Sequence, residues 1–232
     1  MPTMSSLAKT IFETCNLRGT FVLRSGQTST EYFDKYQLEA RPALLRAIAE
    51  GMAKLLPAET AVLAGLEMGG IPIATAISLH TSLPCVFVRK KAKEHGTCKI
   101  AEGMAKLLPG ETAVLAGLEM GGIPVATAIS LQTNLPCVFV RKKAKEYGTC
   151  KLAEGVDVKD RKVTIIEDVV TTGGAILAGV EALRERGAVI DTVLCVIDRE
   201  EAGGESLRTA GLSLKALFTA SELRHAALDR QP

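Results

Sequence analysis

One run of residues limits the folds open to this chain more than any other: Val163 to Ala175, V-T-I-I-E-D-V-V-T-T-G-G-A. It begins with a β-branched, apolar stretch, Val163 to Ile166, of the kind that fills a strand buried on both faces of a parallel sheet. Glu167 and Asp168 follow, then Thr171, Thr172, Gly173 and Gly174. The next residues, A-I-L-A-G-V-E-A-L-R-E-R, repeat Ile176, Leu177, Val180 and Leu183 at helical spacing. Strand, acidic pair, hydroxyl-and-glycine turn and helix in this order predict an α/β unit whose turn faces a ligand. Glycines let backbone N–H groups approach an anion, and a helix N-terminus adds the positive end of its dipole. Thr171 and Thr172 add hydroxyl donors. Carboxylates beside a phosphate cradle repel the phosphate, so Glu167 and Asp168 should face sugar hydroxyls or a bridging Mg²⁺. A phosphorylated ribose satisfies both ends at once. The plain alternative is a βα turn that merely needs glycine. Gly-Gly alone would mean no more than that; the register of strand, acids and turn carries the functional reading.

The string resembles the phosphoribosyl pyrophosphate (PRPP) signature of type I phosphoribosyltransferases. The resemblance implies a three-layer α/β fold with a mainly parallel central sheet. It also implies a PRPP site made by Glu167, Asp168, Val169, Val170, Thr171, Thr172, Gly173, Gly174 and Ala175. In it the acidic pair would hold the ribose 2′- and 3′-hydroxyls and the loop after it the 5′-phosphate. The metal implied is Mg²⁺ carried in by the substrate, with Asp168 as the candidate protein ligand. The loop is not a nucleotide P-loop, since G-x-x-x-x-G-K-[ST] occurs nowhere in the chain.

Length and composition fit such a domain. The 232 residues suffice for one sizeable core, and 47% apolar content without tryptophan suits an aliphatic α/β interior. A net charge of +2 predicts no general affinity for nucleic acid. No apolar run reaches membrane-spanning length, and M-P-T-M-S-S-L-A-K-T-I-F has no apolar signal core. Six cysteines in a chain this long do not form a disulfide framework, and without C-x-x-C zinc is not expected. The expectation is a reduced, cytoplasmic enzyme.

The second constraint is a tandem repeat. Residues 51–102 recur as 103–154, differing only at Ala58/Gly110, Ile73/Val125, His80/Gln132, Ser82/Asn134, His95/Tyr147 and Ile100/Leu152. Two copies are too few for a solenoid, and removing one leaves 180 residues, a comfortable single domain. The expectation is therefore one domain over residues 1–232 with a duplicated strand–helix–strand. Each copy predicts a buried strand (Ala61 to Glu67, Ala113 to Glu119), an M-G-G-I-P turn, a helix, and a second buried strand in L-P-C-V-F-V. Both copies cannot occupy one place, so the displaced copy is expected to extend the sheet margin or dock against a partner chain. The second copy, directly linked to Val163, is expected to supply the working loop.

That loop is R-K-K-A-K-E-H/Y-G-T-C-K. Four cations in five residues, Arg89, Lys90, Lys91 and Lys93, recur as Arg141, Lys142, Lys143 and Lys145. Such a run is either a solvated face or a device that closes on pyrophosphate, whose charge grows as its bond to ribose breaks. The segment resembles the catalytic loop of orotate phosphoribosyltransferases. That similarity implies catalytic roles for Arg141, Lys142, Lys145 and Tyr147, or for Arg89, Lys90, Lys93 and His95 of the other copy. It also implies a homodimer, with the loop reaching the partner's site. The G-L-E-M-G-G-I-P turn lies where that family has its pyrophosphate loop, often with lysine before G-I-P. Here Gly69 and Gly121 stand there, leaving the work to backbone N–H groups.

Near the N-terminus, Leu7, Ile11 and Cys15 predict a helix, and Phe21 to Arg24 a strand of a hairpin. Arg24, Tyr32 and Phe33 resemble the basic and aromatic residues that line the orotate site in that family, though Arg24 equally suits a solvated strand position. Arg41 to Leu56 predicts a helix opened by Pro42. Ala188 to Ile197 predicts another buried strand, ending in Asp198-Arg199-Glu200-Glu201, and Leu212 to Phe218 and Ala220 to Leu228 a last strand and helix. Arg199 presents a planar fork suited to a carboxylate, or else pairs with Asp198 or Glu200. The resemblance places it, with Thr171, on the orotate carboxylate. The implied reaction converts orotate and PRPP to orotidine 5′-monophosphate and pyrophosphate. A purine phosphoribosyltransferase and a PRPP-binding regulator without catalysis are the alternatives.

Overall fold

The structure, a computed structural model, describes residues 4–22, 27–88, 101–141 and 152–228. Helix α1 (Met4–Cys15) runs directly into an antiparallel hairpin of β1 (Asn16–Val22) and β2 (Thr28–Phe33). A short helix α2 (Tyr36–Glu39) and then α3 (Pro42–Ala53) follow, with Pro42 in the first turn, where its missing N–H costs nothing. The first repeat copy forms β3 (Leu63–Leu66), α4 (Gly70–Thr81) and β4 (Cys85–Val88). Next come α5 (Ala101–Leu107), β5 (Val114–Leu118), α6 (Gly122–Thr133), β6 (Cys137–Val140) and a short β7 (Ala153–Gly155). The remainder is β8 (Lys162–Val170), α7 (Gly174–Arg184), β9 (Val189–Asp198), α8 (Gly203–Thr209), β10 (Ser213–Thr219) and α9 (Ala220–Leu228). The acids that the sequence places after a strand lie within it, since β8 continues through Glu167 and Asp168 to Val170. Short elements without a periodic signal, α2, β7 and α8, have no counterpart in the sequence reading.

The main sheet has the order β10-β9-β8-β5-β6-β7, parallel throughout except for β7 against β6. From β5 to β6 the chain moves one way across the sheet, and from β8 to β9 to β10 the other. Right-handed crossovers then place α6 on one face and α7 with α8 on the opposite face, giving three layers. Side chains agree: the α6 methyl of Ala126 lies over Gly117, while Gly179 of α7 lies over the next residue, Leu118. Helix α6 is apolar nearly all round and is buried at Ile123, Ala126, Ala128 and Ile129. The strand order reverses between β8 and β5, and at such a switch point an open α/β sheet leaves a crevice beyond its strand ends.

Copy 2 is the one built into this sheet. Copy 1 forms a separate two-stranded parallel sheet, β3 with β4, in identical register: Leu63 faces Cys85 as Leu115 faces Cys137. It neither extends the main sheet nor lies at its margin, contrary to expectation. It stacks outside α6, with α4 against α6 and α3, and sends Met68 and Ile71 into the main core. A helix as apolar as α4 has to bury its flanks, and α6 offers an apolar one. The expectation that both strands of each copy are buried fails for copy 1. Leu66, Val86 and Val88 are 63%, 52% and 45% exposed, whereas Leu118, Val138 and Val140 are 3%, 0% and 2% exposed. In copy 2, α7 covers this face; in copy 1, among the described residues, nothing does.

This arrangement predicts the effect of excision. Deleting residues 51–102 joins Glu50 to Gly103 and lets α3 run into α5 as one helix, with the six-stranded sheet untouched. The 180-residue product is expected to unfold at an equal or higher temperature and to bind less hydrophobic dye. A product that aggregates or fails to fold would show that copy 1 is a required part of the core.

Candidate functional site

The β8 strand ends in a carboxylate pair whose members do different things. Glu167 is buried, and its Oε1 accepts the Asp168 N–H at 2.9 Å. Asp168 is exposed, its Oδ1 accepts the Val169 N–H at 2.7 Å, and its other oxygen lies over Gly121. Gly121 belongs to the turn after β5, so the switch point brings the two predicted loops into contact. A Cβ on Gly121 would overlap the Asp168 carboxylate, and one on Gly122 would overlap the Ile166 carbonyl oxygen. The M-G-G-I-P turn thus needs both glycines, for close approach to β8. Glycine at position 121 has a local reason: the Asp168 carboxylate occupies the space a side chain would need.

After β8 the chain turns through Thr171 to Gly173 into α7. Gly173 caps that helix at φ +79°, a left-handed conformation that favours glycine. Neighbouring backbone pins the loop from outside. Arg199 N–H donates to Val170 O at 3.0 Å, and Gly203 N–H donates to Thr171 O at 2.8 Å. Both carbonyls therefore face the β9–α8 side, and the Gly174 position stays open. The first N–H groups of α7 have no carbonyl within the helix to bind, which suits an anion. Cys195 pairs in register with Glu167. Burial first, then the carboxylates of Asp198 and Glu167, push its thiol up to about 12, so it supplies no thiolate at neutral pH.

Arg141 leaves the end of β6. Its Nη2 donates to the Tyr36 hydroxyl at 2.5 Å, its guanidinium carbon lies 5.5 Å from the Tyr36 ring centroid, and its Nε is buried without a hydrogen-bond partner among the described residues. A cavity of about 250 Å³ opens here between the ends of β5 and β6 and helix α7, lined by Leu118, Val140, Arg141, Ala175 and Gly179. Lys142, Lys145, Tyr147, Arg89, Lys90, Lys93, His95 and Arg24 lie outside the described residues. Tyr32 stacks on Phe21 within the hairpin, with ring centroids 5.4 Å apart, and Phe33 is half exposed. Arg199 stands at the end of β9, 56% exposed, with Nη2 3.0 Å from Glu201 Oε1. Its ion-pair partner is thus neither Asp198 nor Glu200, the two acids named as the alternative to a ligand carboxylate.

The donor set also bears on metal. Among the described residues no three acidic, histidine or cysteine side chains come together as a ready-made metal cage. Exposed Asp168, with oxygen ligands only, fits a hard cation that takes most of its ligands from a substrate. Tyr36 was missed by sequence reasoning. Its partner Arg141 is 105 residues away, and no local pattern announces such a pair.

Comparison with known proteins identifies the family. The phosphoribosyl transferase domain family model matches residues 98–210, which include copy 2 and omit nearly all of copy 1. The chain is 42% identical to the orotate phosphoribosyltransferase of Nocardioides sp. strain JS614, over 94% of this chain and 93% of that protein. It is 37% identical to the orotate phosphoribosyltransferase of Methanocella arvoryzae, covering 88% and 87% of the two chains. The Pyrococcus horikoshii orotate phosphoribosyltransferase is 34% identical, covering 94% and 90%.

The contact between turn and acid is directly testable. Gly121→Ala is expected to displace Asp168 and weaken PRPP binding about tenfold or more, while Gly69→Ala in copy 1 leaves PRPP binding as it is. Calorimetry with PRPP on both variants checks this; equal losses would show that Asp168 does not depend on the copy 2 turn.

Proposed function

The chain belongs to the orotate phosphoribosyltransferase family, and we propose that the crevice between the ends of β5 and β8 is where it transfers phosphoribosyl from PRPP to orotate. The products are orotidine 5′-monophosphate and pyrophosphate. The observation that carries this reading is the meeting of three parts at one switch point: the Glu167–Asp168 end of β8, the glycine turn of copy 2, and the open N-terminus of α7.

The roles follow from the chemistry of each part. The 5′-phosphate sits on the N–H groups that open α7, with Thr171 and Thr172 hydroxyls beside it. The exposed Asp168 carboxylate, fixed by the Val169 N–H, takes a ribose hydroxyl, and Glu167 holds the backbone that presents it. Pyrophosphate lies towards the Glu119–Gly122 turn, within reach of the β6 end. As the C1′–O bond to pyrophosphate breaks and the N1–C1′ bond forms, positive charge builds on the ribose and negative charge on the leaving group. Carboxylates near the first and cations near the second lower the barrier more than they stabilise the bound substrate. Arg141, Lys142 and Lys145 of copy 2 are the proposed source of those cations, with Tyr147 beside them, because copy 2 is the one whose strands belong to the main sheet. Asp168 would hold Mg²⁺ together with substrate oxygens; bound there, the ion neutralises pyrophosphate charge. Arg199 exchanges Glu201 for the orotate carboxylate, a planar bidentate partner, beside Thr171. Arg24, Tyr32 and Phe33 complete the proposed orotate site. We further propose a homodimer in the cytoplasm, in which Arg141 at the β6 end serves its own crevice and the basic loop beyond it serves the partner's site.

An assay with PRPP and a panel of bases tests the reading as a whole. Product formation with orotate and not with purines is expected; PRPP binding without turnover would make the protein a regulator. Arg199→Ala is expected to raise the barrier for orotate by about 2 kcal/mol or more while leaving PRPP affinity unchanged. Lys145→Ala is expected to lower kcat about a hundredfold. A loss from Lys93→Ala instead would assign the work to copy 1.

A further inference from the structure

Arg141 is the one described member of the basic segment, and what holds it is unusual. A guanidinium on a strand end would ordinarily swing in solvent. Here it is fixed by a tyrosine that is 3% exposed, through a 2.5 Å hydrogen bond to the hydroxyl and a ring beneath the cation. The Tyr36 ring also faces the Lys35 ammonium, whose Nζ lies 5.0 Å from its centroid. Burial raises the phenol well above its ordinary range, against the pull of Arg141, so the hydroxyl stays neutral and Tyr36 leaves the arginine its full charge. With Nη2 on Tyr36, the buried Nε still lacks an acceptor among the described residues. A buried donor without a partner, beside a cavity at the strand ends, is a donor kept for a ligand.

Tyr36 precedes both repeat copies and is itself not duplicated. Arg89 and Arg141 have the same neighbours in sequence, so nothing local separates them. Tyr36 holds Arg141, and its helix packs beside β7, which follows copy 2 and pairs with β6. Gln37 of the same helix donates to the Gly155 carbonyl at 2.8 Å, and the Ala40 carbonyl accepts the Cys137 N–H at 2.9 Å. Helix α2 is thereby tied to the first residues of β6 and to the β7 residue paired with them, while Tyr36 itself reaches Arg141 beyond the far end of β6. We propose that Tyr36 is a positioning residue for the transfer reaction: it orients the Arg141 guanidinium towards the pyrophosphate end of the crevice. This inference rests on the proposed role of the copy 2 loop.

The test is a double-mutant cycle of Tyr36→Phe, which keeps the ring and its packing, with Arg141→Ala, and with Arg141→Gln as a second truncation that leaves a polar group at the site. Kinetics are read as kcat and KM for PRPP, with thermal unfolding measured in parallel. Tyr36→Phe is expected to lower kcat/KM for PRPP about tenfold with an unchanged unfolding temperature, and by less than twofold once Arg141 is removed. A merely structural tyrosine would lower the unfolding temperature and cost the same in every background; that result overturns the proposal. If Arg141→Ala is impaired but Tyr36→Phe is not, positioning by Tyr36 is wrong while the loop reading stands. If Arg141→Ala and Arg141→Gln both keep full activity, the loop reading itself falls, and the inference with it.

Discussion

The close approach of Gly122 to the Ile166 carbonyl underlies the candidate site. It is possible only because β5 and β8 are neighbours, with Gly117 opposite Ile166, and because the turn after β5 has no side chain to keep them apart. From that contact the rest follows in order. The glycine turn comes under Asp168, the acid gains a seat, and the α7 entrance stands a few residues further along the same strand. A crevice at a strand-order reversal is a general property of open α/β sheets. This chain turns it into a site by placing carboxylates on one wall and bare backbone on the other.

Two kinds of holding act on that crevice. The phosphate-facing loop is fixed by backbone alone, through the Arg199 and Gly203 N–H groups on the outward carbonyls of Val170 and Thr171. Such bonds do not depend on side-chain rotamers, which suits a cradle that must present N–H groups at fixed positions. The opposite wall is held by side chains, Tyr36 on Arg141 and Gln37 on the β7 end. Because α2 is only four residues long, its place comes from these contacts rather than from helical stability.

The duplicated segment shows how far local preference goes. Both copies fold to the same strand–helix–strand, and even the closing bond recurs: Glu67 N–H to Val88 O at 2.9 Å, Glu119 N–H to Val140 O at 2.8 Å. Yet one copy is buried on both faces and the other on one. Copy 1 keeps the outer face that α7 covers in copy 2, and so presents Leu66, Val86 and Val88 to solvent. The cost of an extra copy therefore falls on exposed apolar area rather than on the sheet.

Much was legible in the chain because it is local. Val163 to Ala175 specifies strand, acids, turn and helix through composition at short range, and the glycine turn and the Pro42 helix are equally local statements. The resemblance carried by these motifs, and by the basic segment, reached the family and its reaction. What short-range pattern could not carry was choice among equals. Two segments that differ at six positions have the same propensities. Which of them pairs with β8 is therefore set by reach and by neighbours: the short link to β8 and the α2–β7 contacts both belong to copy 2. The same holds for Tyr36, whose partner is 105 residues away, and for Gly121, whose necessity appears only when Asp168 is seen above it. Contacts between distant residues are made by the packed chain, and only the packed chain records them.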